Sequence, residues 1–287
     1  MRILVFDVGG TYTKYALVED YEVRDRHRIR TPRENFMEEL TSISKGFRGL
    51  DGIAVGFPGI VSEDGSVLFA PHLPSMVGRS IRRIVDIPVI IDNDANLFAL
   101  GQYVLMRGDG VRNLVGITLG TGVGGGIVID GRLYRGRGGA GEVGHIIIDV
   151  DGPRCDCGNY GCAEAFLGGA YFFHRCMTWF ERKGIRVEEL DGEKLREMAD
   201  RGIEPAGECW EWYGRRLAVL VASLINIFAP DAVMLGGGLS GAFDHFSASM
   251  FGELERYLGE RLRGVRVEEG IEKEISPFLG GFELFMV

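Results

Sequence analysis

The order of hydrophobic and polar positions predicts alternating strands and helices from the first residues onward. Residues 3–6 are an apolar run ending at Asp7, and residues 15–18 are a second run rich in strand formers. Between them lies Val8-Gly9-Gly10-Thr11-Tyr12-Thr13-Lys14, a glycine turn. A third strand over residues 22–29 completes a meander. Pro32 then opens an amphipathic helix with Phe36, Leu40, Ile43 and Phe47 at helical spacing. Residues 52–57 read as a buried strand stopped by Pro58-Gly59, and residues 61–79 as a hairpin and loop around Asp64-Gly65. Another buried strand, residues 88–91, runs into Asp92-Asn93-Asp94-Ala95-Asn96, and a helix follows through about Met106.

The opening pattern then recurs. Residues 114–119 form a strand, residues 120–126 a glycine turn, and residues 127–134 a hairpin around Asp130-Gly131. Helices are expected over residues 163–183, 207–229 and 241–262, with a last strand at 232–235 running into Gly236-Gly237-Gly238. Strands alternating with helices make this an α/β chain. The repeated strand, glycine turn and strand predict two related lobes facing each other across a cleft. The expected division is a small lobe over residues 1–105, with 275–287 packing back on it, and a large lobe over 106–274.

Composition narrows the partners. With 287 residues the chain can bury a substantial core. Its formal net charge of −9 argues against nucleic acid as a partner, since phosphate-backbone binding needs a basic surface. The longest apolar stretch, residues 217–229, is interrupted by Ser223 and Asn226 and is too short to cross a bilayer. The chain enters its first strand at once, leaving no room for a signal peptide, and its five cysteines fit a reducing compartment better than a disulfide framework. A cytoplasmic protein without a membrane segment is expected.

Both glycine turns offer backbone N–H groups to an anion, and the missing Cβ atoms let a phosphate approach closely. Gly120-Thr121-Gly122-Val123-Gly124-Gly125 satisfies the dinucleotide pattern G-x-G-x-x-G, but that reading needs a helix next, and a hairpin follows. No G-x-x-x-x-G-K-[ST] stretch is present, which excludes a P-loop enzyme. Phosphoryl transfer further requires a base, a magnesium site and groups that orient the acceptor. Asp94, at the mouth of a strand and the start of a helix, is placed to be that base, although Asp and Asn also serve as helix N-caps. Asp7, directly before a phosphate turn, needs a cation between itself and the phosphate.

The densest chemistry lies between residues 141 and 164. There His145, Cys155, Cys157 and Cys162, the ligand set of a closed zinc site, fall within eighteen residues interleaved with glycines. Glu142 and Glu164 bracket them. Carboxylates beside a structural metal suggest that the metal holds a polar group in place. Purely structural zinc, with no substrate role for His145, is the alternative.

Taken in order, Asp7-Val-Gly-Gly-Thr11, Asn93-Asp94-Ala-Asn96, Leu119-Gly-Thr-Gly-Val-Gly-Gly-Gly126, Gly141-Glu-Val-Gly-His145, Cys155-x-Cys157-Gly-x-x-Gly-Cys162-x-Glu164 and Pro230-x-x-Val-x-x-Gly-Gly-Gly238 resemble the ROK family of repressors and sugar kinases. The resemblance implies a two-lobed actin-like ATPase fold of ribonuclease H type, with a duplicated mixed-sheet core and a zinc-binding insertion. It implies an ATP-dependent sugar kinase, glucokinase-like and acting at a 6-hydroxyl, with ATP, Mg2+ and structural Zn2+. On this reading Asp94 is the general base. Asn93, Glu142, His145 and Glu164 hydrogen-bond the sugar, with His72 beside them. Asp7, Gly9, Gly10, Thr11, Thr13, Lys14, Gly120, Thr121 and Gly122 hold phosphates and metal, and Gly236, Gly237 and Gly238 lie by the nucleoside. Zinc is held by His145, Cys155, Cys157 and Cys162, which fixes the direction of the imidazole. A homodimer or higher homo-oligomer is expected from the resemblance.

Two positions depart from the family pattern. His72-Leu73-Pro74 stands where Asn-Leu-Pro is common, and Gly168 where Ser is common. Glucose, an N-acylhexosamine, mannose and fructose therefore all remain open as acceptors. The family's sugar-responsive regulators carry a helix-turn-helix ahead of the first strand; this chain opens on the strand, is acidic and keeps Asp94, which favours the kinase.

Overall fold

A computed structural model of the chain describes residues 1–62, 64–70, 73–83 and 85–286. The meander of β1 (Arg2–Val8), β2 (Tyr12–Glu19) and β3 (Glu22–Arg30) is followed by α1 (Phe36–Lys45), β4 (Gly52–Phe57), β5 (Ile60–Val61), β6 (Val67–Phe69), β7 (Val89–Asn93) and α2 (Asp94–Met106). Then come β8 (Leu114–Leu119), β9 (Val123–Ile129), β10 (Arg132–Leu133), α3 (Glu164–Leu167), α4 (Gly169–Arg182), α5 (Gly192–Asp200) and α6 (Glu204–Phe228). The chain ends with β11 (Ala232–Gly236), α7 (Phe243–Leu258), β12 (Arg266–Glu269) and α8 (Ser276–Glu283).

The two large sheets repeat one plan. The first has the order β3-β2-β1-β4-β7 and the second β10-β9-β8-β11-β12. In the first, β4 lies between β1 and β7, parallel to both, and every residue of it is buried. A strand covered on both faces takes such an unbroken apolar run. In the second, β11 runs parallel to β8 and β12. The edge strand β3 is largely exposed and carries Arg24, Arg26, Arg28 and Arg30, a charge density that discourages edge-to-edge pairing with another chain.

The chain divides into two compact units. Unit 1 comprises Met1–Arg112, Gly126–Gly141 and Ile271–Val287, and unit 2 comprises Asn113–Gly125 and Glu142–Gly270. In unit 1, Phe36 and Leu40 of α1 bury against Leu4, Phe6, Val55 and Phe57. Also in unit 1, α8 lies so close to α2 that a Cβ on Gly280 would sit 1.9 Å from the Leu97 carbonyl oxygen. In unit 2, Trp210, Tyr213 and Leu217 of α6 bury against Phe172 and Phe180 of α4 and Phe246 and Met250 of α7.

Several predicted boundaries shift, most of them for a tertiary reason. The glycine turn expected over residues 120–126 is confined to 120–122, and Gly124, Gly125 and Gly126 belong to β9. There Gly126 permits close approach within unit 1, because its Cβ would lie 2.6 Å from that of Ala99 and 2.8 Å from the Ala95 carbonyl oxygen. The helix expected over 163–183 is interrupted at Gly168, whose ψ of 137° separates α3 from α4. A Cβ at Gly168 would meet the Glu164 and Thr121 carbonyl oxygens at 2.8 and 3.0 Å. Pro32 does not open α1. Thr31 is drawn into the first turn by bonds from its N–H to the Thr11 carbonyl and from its hydroxyl to the Gly9 carbonyl, and the helix starts after Asn35. α6 begins three residues earlier than expected, with Pro205 in its first turn. Sequence pattern alone does not find α5 or β12, in which only Leu195 and only Val267 are buried.

Candidate functional site

In unit 1, three parallel strands end side by side. Asp7 of β1 stands in register with Gly56 of β4, which stands in register with Asp92 of β7. The carboxyl ends of parallel strands are where open α/β sheets take ligands. The turn after Asp7 is tight: Gly9 N–H donates to the Tyr12 carbonyl at 2.9 Å. A Cβ on Gly9 would lie 2.8 Å from that oxygen. The N–H groups of Gly10 and Thr11 make no bond to a backbone carbonyl among the described residues, and Arg33 Nη2 donates to the Gly10 carbonyl at 3.3 Å. Lys14 pairs in register with Asp7 and its ammonium contacts Glu274 at 2.8 Å. Burial pushes the Asp7 carboxyl up to about 6; Lys14 opposes the rise and Glu274 adds to it. Thr13, expected to touch the nucleotide, is fully buried with its hydroxyl 3.1 Å from that of Thr31. It braces the turn from beneath.

The Asp92–Asn96 array divides its labour. Asp92, only 8% exposed, accepts from Asn93 N–H at 2.8 Å and Asn96 Nδ2 at 2.6 Å through Oδ1, and from Arg135 Nε at 2.7 Å through Oδ2. Asn93 is the N-cap of α2, its Oδ1 accepting from Ala95 N–H at 2.9 Å. Asp94 is the first residue of α2. Its Oδ1 also accepts from Ala95 N–H, at 3.0 Å, and the side chain is half-buried. Gly56 lets the start of α2 lie close over β4: its Cβ would be 3.4 Å from the Asp94 Cα. Arg135, 43 positions from Asp92 in sequence, belongs to this cluster and no motif announced it. His72, expected to contact the sugar, lies outside the described residues.

Unit 2 holds the second turn. Gly120 N–H donates to the Gly122 carbonyl at 3.0 Å, and Gly169 N–H donates to the Gly120 carbonyl at 2.9 Å. Glu164 anchors the far side, its Oε2 accepting from Val123 N–H at 2.9 Å. Gly122 makes room for it: a Cβ would sit 2.4 Å from that oxygen, so the Glu164 side chain would have to shift. Gly237 adopts φ 82° and passes over Leu119, whose carbonyl oxygen would lie 2.3 Å from an added Cβ. Gly236 is in register with Thr118, so residues 236–238 and 120–122 lie at adjacent strand ends. A cavity of about 540 Å³ opens beside them, lined by Gly120, Thr121, Gly238, Phe173, Asp191 and Glu193 among others. The last three come from stretches without a motif.

Also in unit 2, His145, Cys155, Cys157 and Cys162 converge, with all their ligand atoms within 4.8 Å of one another. Cys157 Sγ is 3.6 Å from Cys162 Sγ, and Cys155 Sγ is 3.9 Å from His145 Nδ1. A tetrahedral metal with ~2.3 Å bonds to sulfur separates its sulfurs by about 3.8 Å, so this set has the dimensions of such a site. Burial pushes the Cys155 thiol up to about 12, and a backbone hydrogen bond with Asn159 lowers Cys157. Cys155 Sγ lies 3.9 Å from Glu164 Oε1, so Glu164 links the thiol cluster to the glycine turn. The Glu142 carboxyl is raised by desolvation, with His145 opposing and Glu164 adding.

The model of the ROK family matches residues 3–286. The chain belongs to the ROK family. ROK relatives include a glucokinase of Streptomyces coelicolor, 34% identical over 82% of this chain and 81% of its own length. An N-acetyl-D-glucosamine kinase of Escherichia coli is 30% identical, over 92% of each chain. Among solved structures, a ROK glucokinase from Streptomyces griseus in complex with glucose and AMPPNP superposes with a TM-score of 0.87, at 26% identity and 99% coverage of both chains. The mixed-sheet α/β fold is thus that of the ROK sugar kinases, of the actin-like ATPase type.

Proposed function

We propose that this protein is an ATP-dependent sugar kinase acting on a hexose or N-acylhexosamine, with Asp94 as general base. The observation that carries the reading is the division of the Asp92–Asn96 array. Asp92 bonds to Asn96 and to Arg135, Asn93 caps the helix, and the half-buried Asp94 at the start of α2 is held by a bond from Ala95 N–H to its Oδ1. A carboxylate so braced accepts the proton of the sugar hydroxyl while that oxygen forms its bond to the γ-phosphorus. The bond to the leaving ADP oxygen breaks in the same displacement. A 6-hydroxyl acceptor follows the glucokinase-like resemblance.

Gly10, Thr11, Thr121 and Gly122 bind the phosphates through backbone N–H groups, Gly9 and Gly120 give the two turns their tight, side-chain-free geometry through their own bonds to Tyr12 and Gly122, and Lys14 is the nearby cation. Asp7 and the first turn would hold Mg2+, which supplies charge neutralisation on the transferring phosphate. Gly236, Gly237 and Gly238 border the nucleoside. Asn93, Glu142, His145 and Glu164 orient the sugar. The dimensions of the His145, Cys155, Cys157 and Cys162 set support structural zinc. Because the imidazole directs Nδ1 to that set, Nε2 is left to meet a sugar hydroxyl. The N-acetyl-D-glucosamine kinase relative favours including N-acylhexosamines among the acceptors. Among the described residues no helix is long and apolar enough to cross a membrane.

The test is ADP formation from ATP and Mg2+ across hexoses, amino sugars and N-acylhexosamines, for the wild type and Asp94→Asn. Sugar-stimulated turnover is expected, falling by roughly 10²- to 10⁴-fold in the variant while sugar binding persists. No stimulation by any sugar, or an unimpaired variant, overturns the proposal.

A further inference from the structure

We infer that Asp191 and Glu193 read the ribose hydroxyls of the phosphoryl donor, selecting a ribonucleotide over a deoxyribonucleotide or an inorganic polyphosphate chain. The inference rests on the kinase reading for the identity of the guest, and otherwise on the cavity in unit 2. Its volume of about 540 Å³ falls within the usual range for a small-molecule site. Three kinds of surface line it. Gly120 and Thr121 bring the backbone of the glycine turn, Phe173 and Leu239 bring apolar surface, and Asp191 and Glu193 bring carboxylates.

Those surfaces match the parts of a nucleotide. Backbone N–H groups suit phosphate, an aromatic ring and a leucine suit a flat base, and carboxylates suit hydroxyl donors. Gly192, between the two acids, keeps the floor low: a Cβ there would lie 3.1 Å from Leu239 Cδ2 and 3.8 Å from Phe173 Cζ. Asp191 is the N-cap of α5, its Oδ1 accepting from Lys194 N–H at 2.8 Å, and a carboxylate has capacity for more than one donor. The charge also discriminates. A helix N-terminus by itself attracts anions, but here two carboxylates stand at it and no lysine or arginine lines the cavity among the described residues. A phosphate chain extended past the glycine turn meets like charge, whereas a ribose offers hydroxyl donors to the same oxygens.

The test measures calorimetric binding of ADP, 2′-deoxy-ADP and 3′-deoxy-ADP to the full chain, as wild type and as the Asp191→Asn, Glu193→Gln double variant. Asn retains the N-cap and Gln retains the shape, so folding is preserved. Loss of at least one ribose hydroxyl is expected to weaken wild-type binding about tenfold, the scale of a hydrogen bond to a charged group. In the double variant that penalty should shrink to about twofold on the same scale. An unchanged penalty in the double variant, or no penalty in the wild type, overturns the inference. So does sugar phosphorylation from polyphosphate as fast as from ATP. Ribose-selective ADP binding without sugar-stimulated turnover upholds this inference while the kinase proposal fails. Turnover from ATP with undiminished tolerance of deoxynucleotides does the reverse.

Discussion

Asp7 carries a clear pH signature. Its carboxyl is held at about 6, above the ordinary 3.8, chiefly by burial. The folded state therefore binds this proton more tightly than the unfolded chain does. Stability contributed by the neutral carboxyl is present below about pH 4 and is lost as pH rises to about 6. Without nucleotide or magnesium, Asp7→Asn should melt above the wild type at pH 7.5, by an amount on the order of 1–3 kcal/mol. The gap should close as pH approaches 4. Thermal denaturation across that range is the check, and a gap that widens toward acid refutes it. Thr13 teaches a different lesson at the same scale. From sequence it is one more polar residue of a phosphate turn, yet it is fully buried against Thr31, a partner 18 positions away that local pattern does not announce. Arg135 escaped for the same reason, since its link to Asp92 exists only once β10 and β7 are in place.

At the scale of elements, the 145–164 segment and the α2–α8 pair respond to different perturbations. The first is organised by four side chains of metal-ligand type. On the proposed zinc reading, the wild type should carry one zinc by elemental analysis, and Cys157→Ser should lose it and raise the sugar KM about tenfold or more through a misdirected His145. Retention of stoichiometric zinc, or an unchanged KM after its loss, contradicts that coupling. The second depends on glycine at the contact. An alanine at Gly280 would place a methyl 1.9 Å from the Leu97 carbonyl oxygen, so Gly280→Ala should destabilise by at least 1–3 kcal/mol, read from denaturant unfolding. Helices with a dense apolar face, such as α6, were legible from periodicity. α5 was not, because a single buried leucine in nine residues leaves no stripe to detect.

For the whole molecule, the chain's route has consequences. Ile271–Val287 returns to unit 1 after the chain has completed unit 2, and α8 buries Phe278, Leu279 and Phe282. Ending the chain at residue 270 should leave unit 1 without that cover and yield aggregated protein, or protein lacking a cooperative thermal transition; a soluble truncation melting like the full chain refutes it. The duplicated strand plan was readable in advance because each copy repeats the same run of buried strand, glycine turn and strand. The α/β class followed from the alternation of strand and helix patterns, and the family from motifs whose chemistry is local: glycine turns beside strand ends, a carboxylate at a helix start, thiols at metal-ligand spacing. These depend on residues a few positions apart, and short-range sterics and hydrogen bonding suffice to set them. Which glycines turn and which belong to a strand, where a helix breaks at Gly168, and which of Asp92, Asn93 and Asp94 is a brace, a cap or a candidate base depended on partners distant in sequence. Only the folded chain brings Ala99 to Gly126, Thr121 to Gly168 and Arg135 to Asp92, and close contact between such partners decided what each residue does.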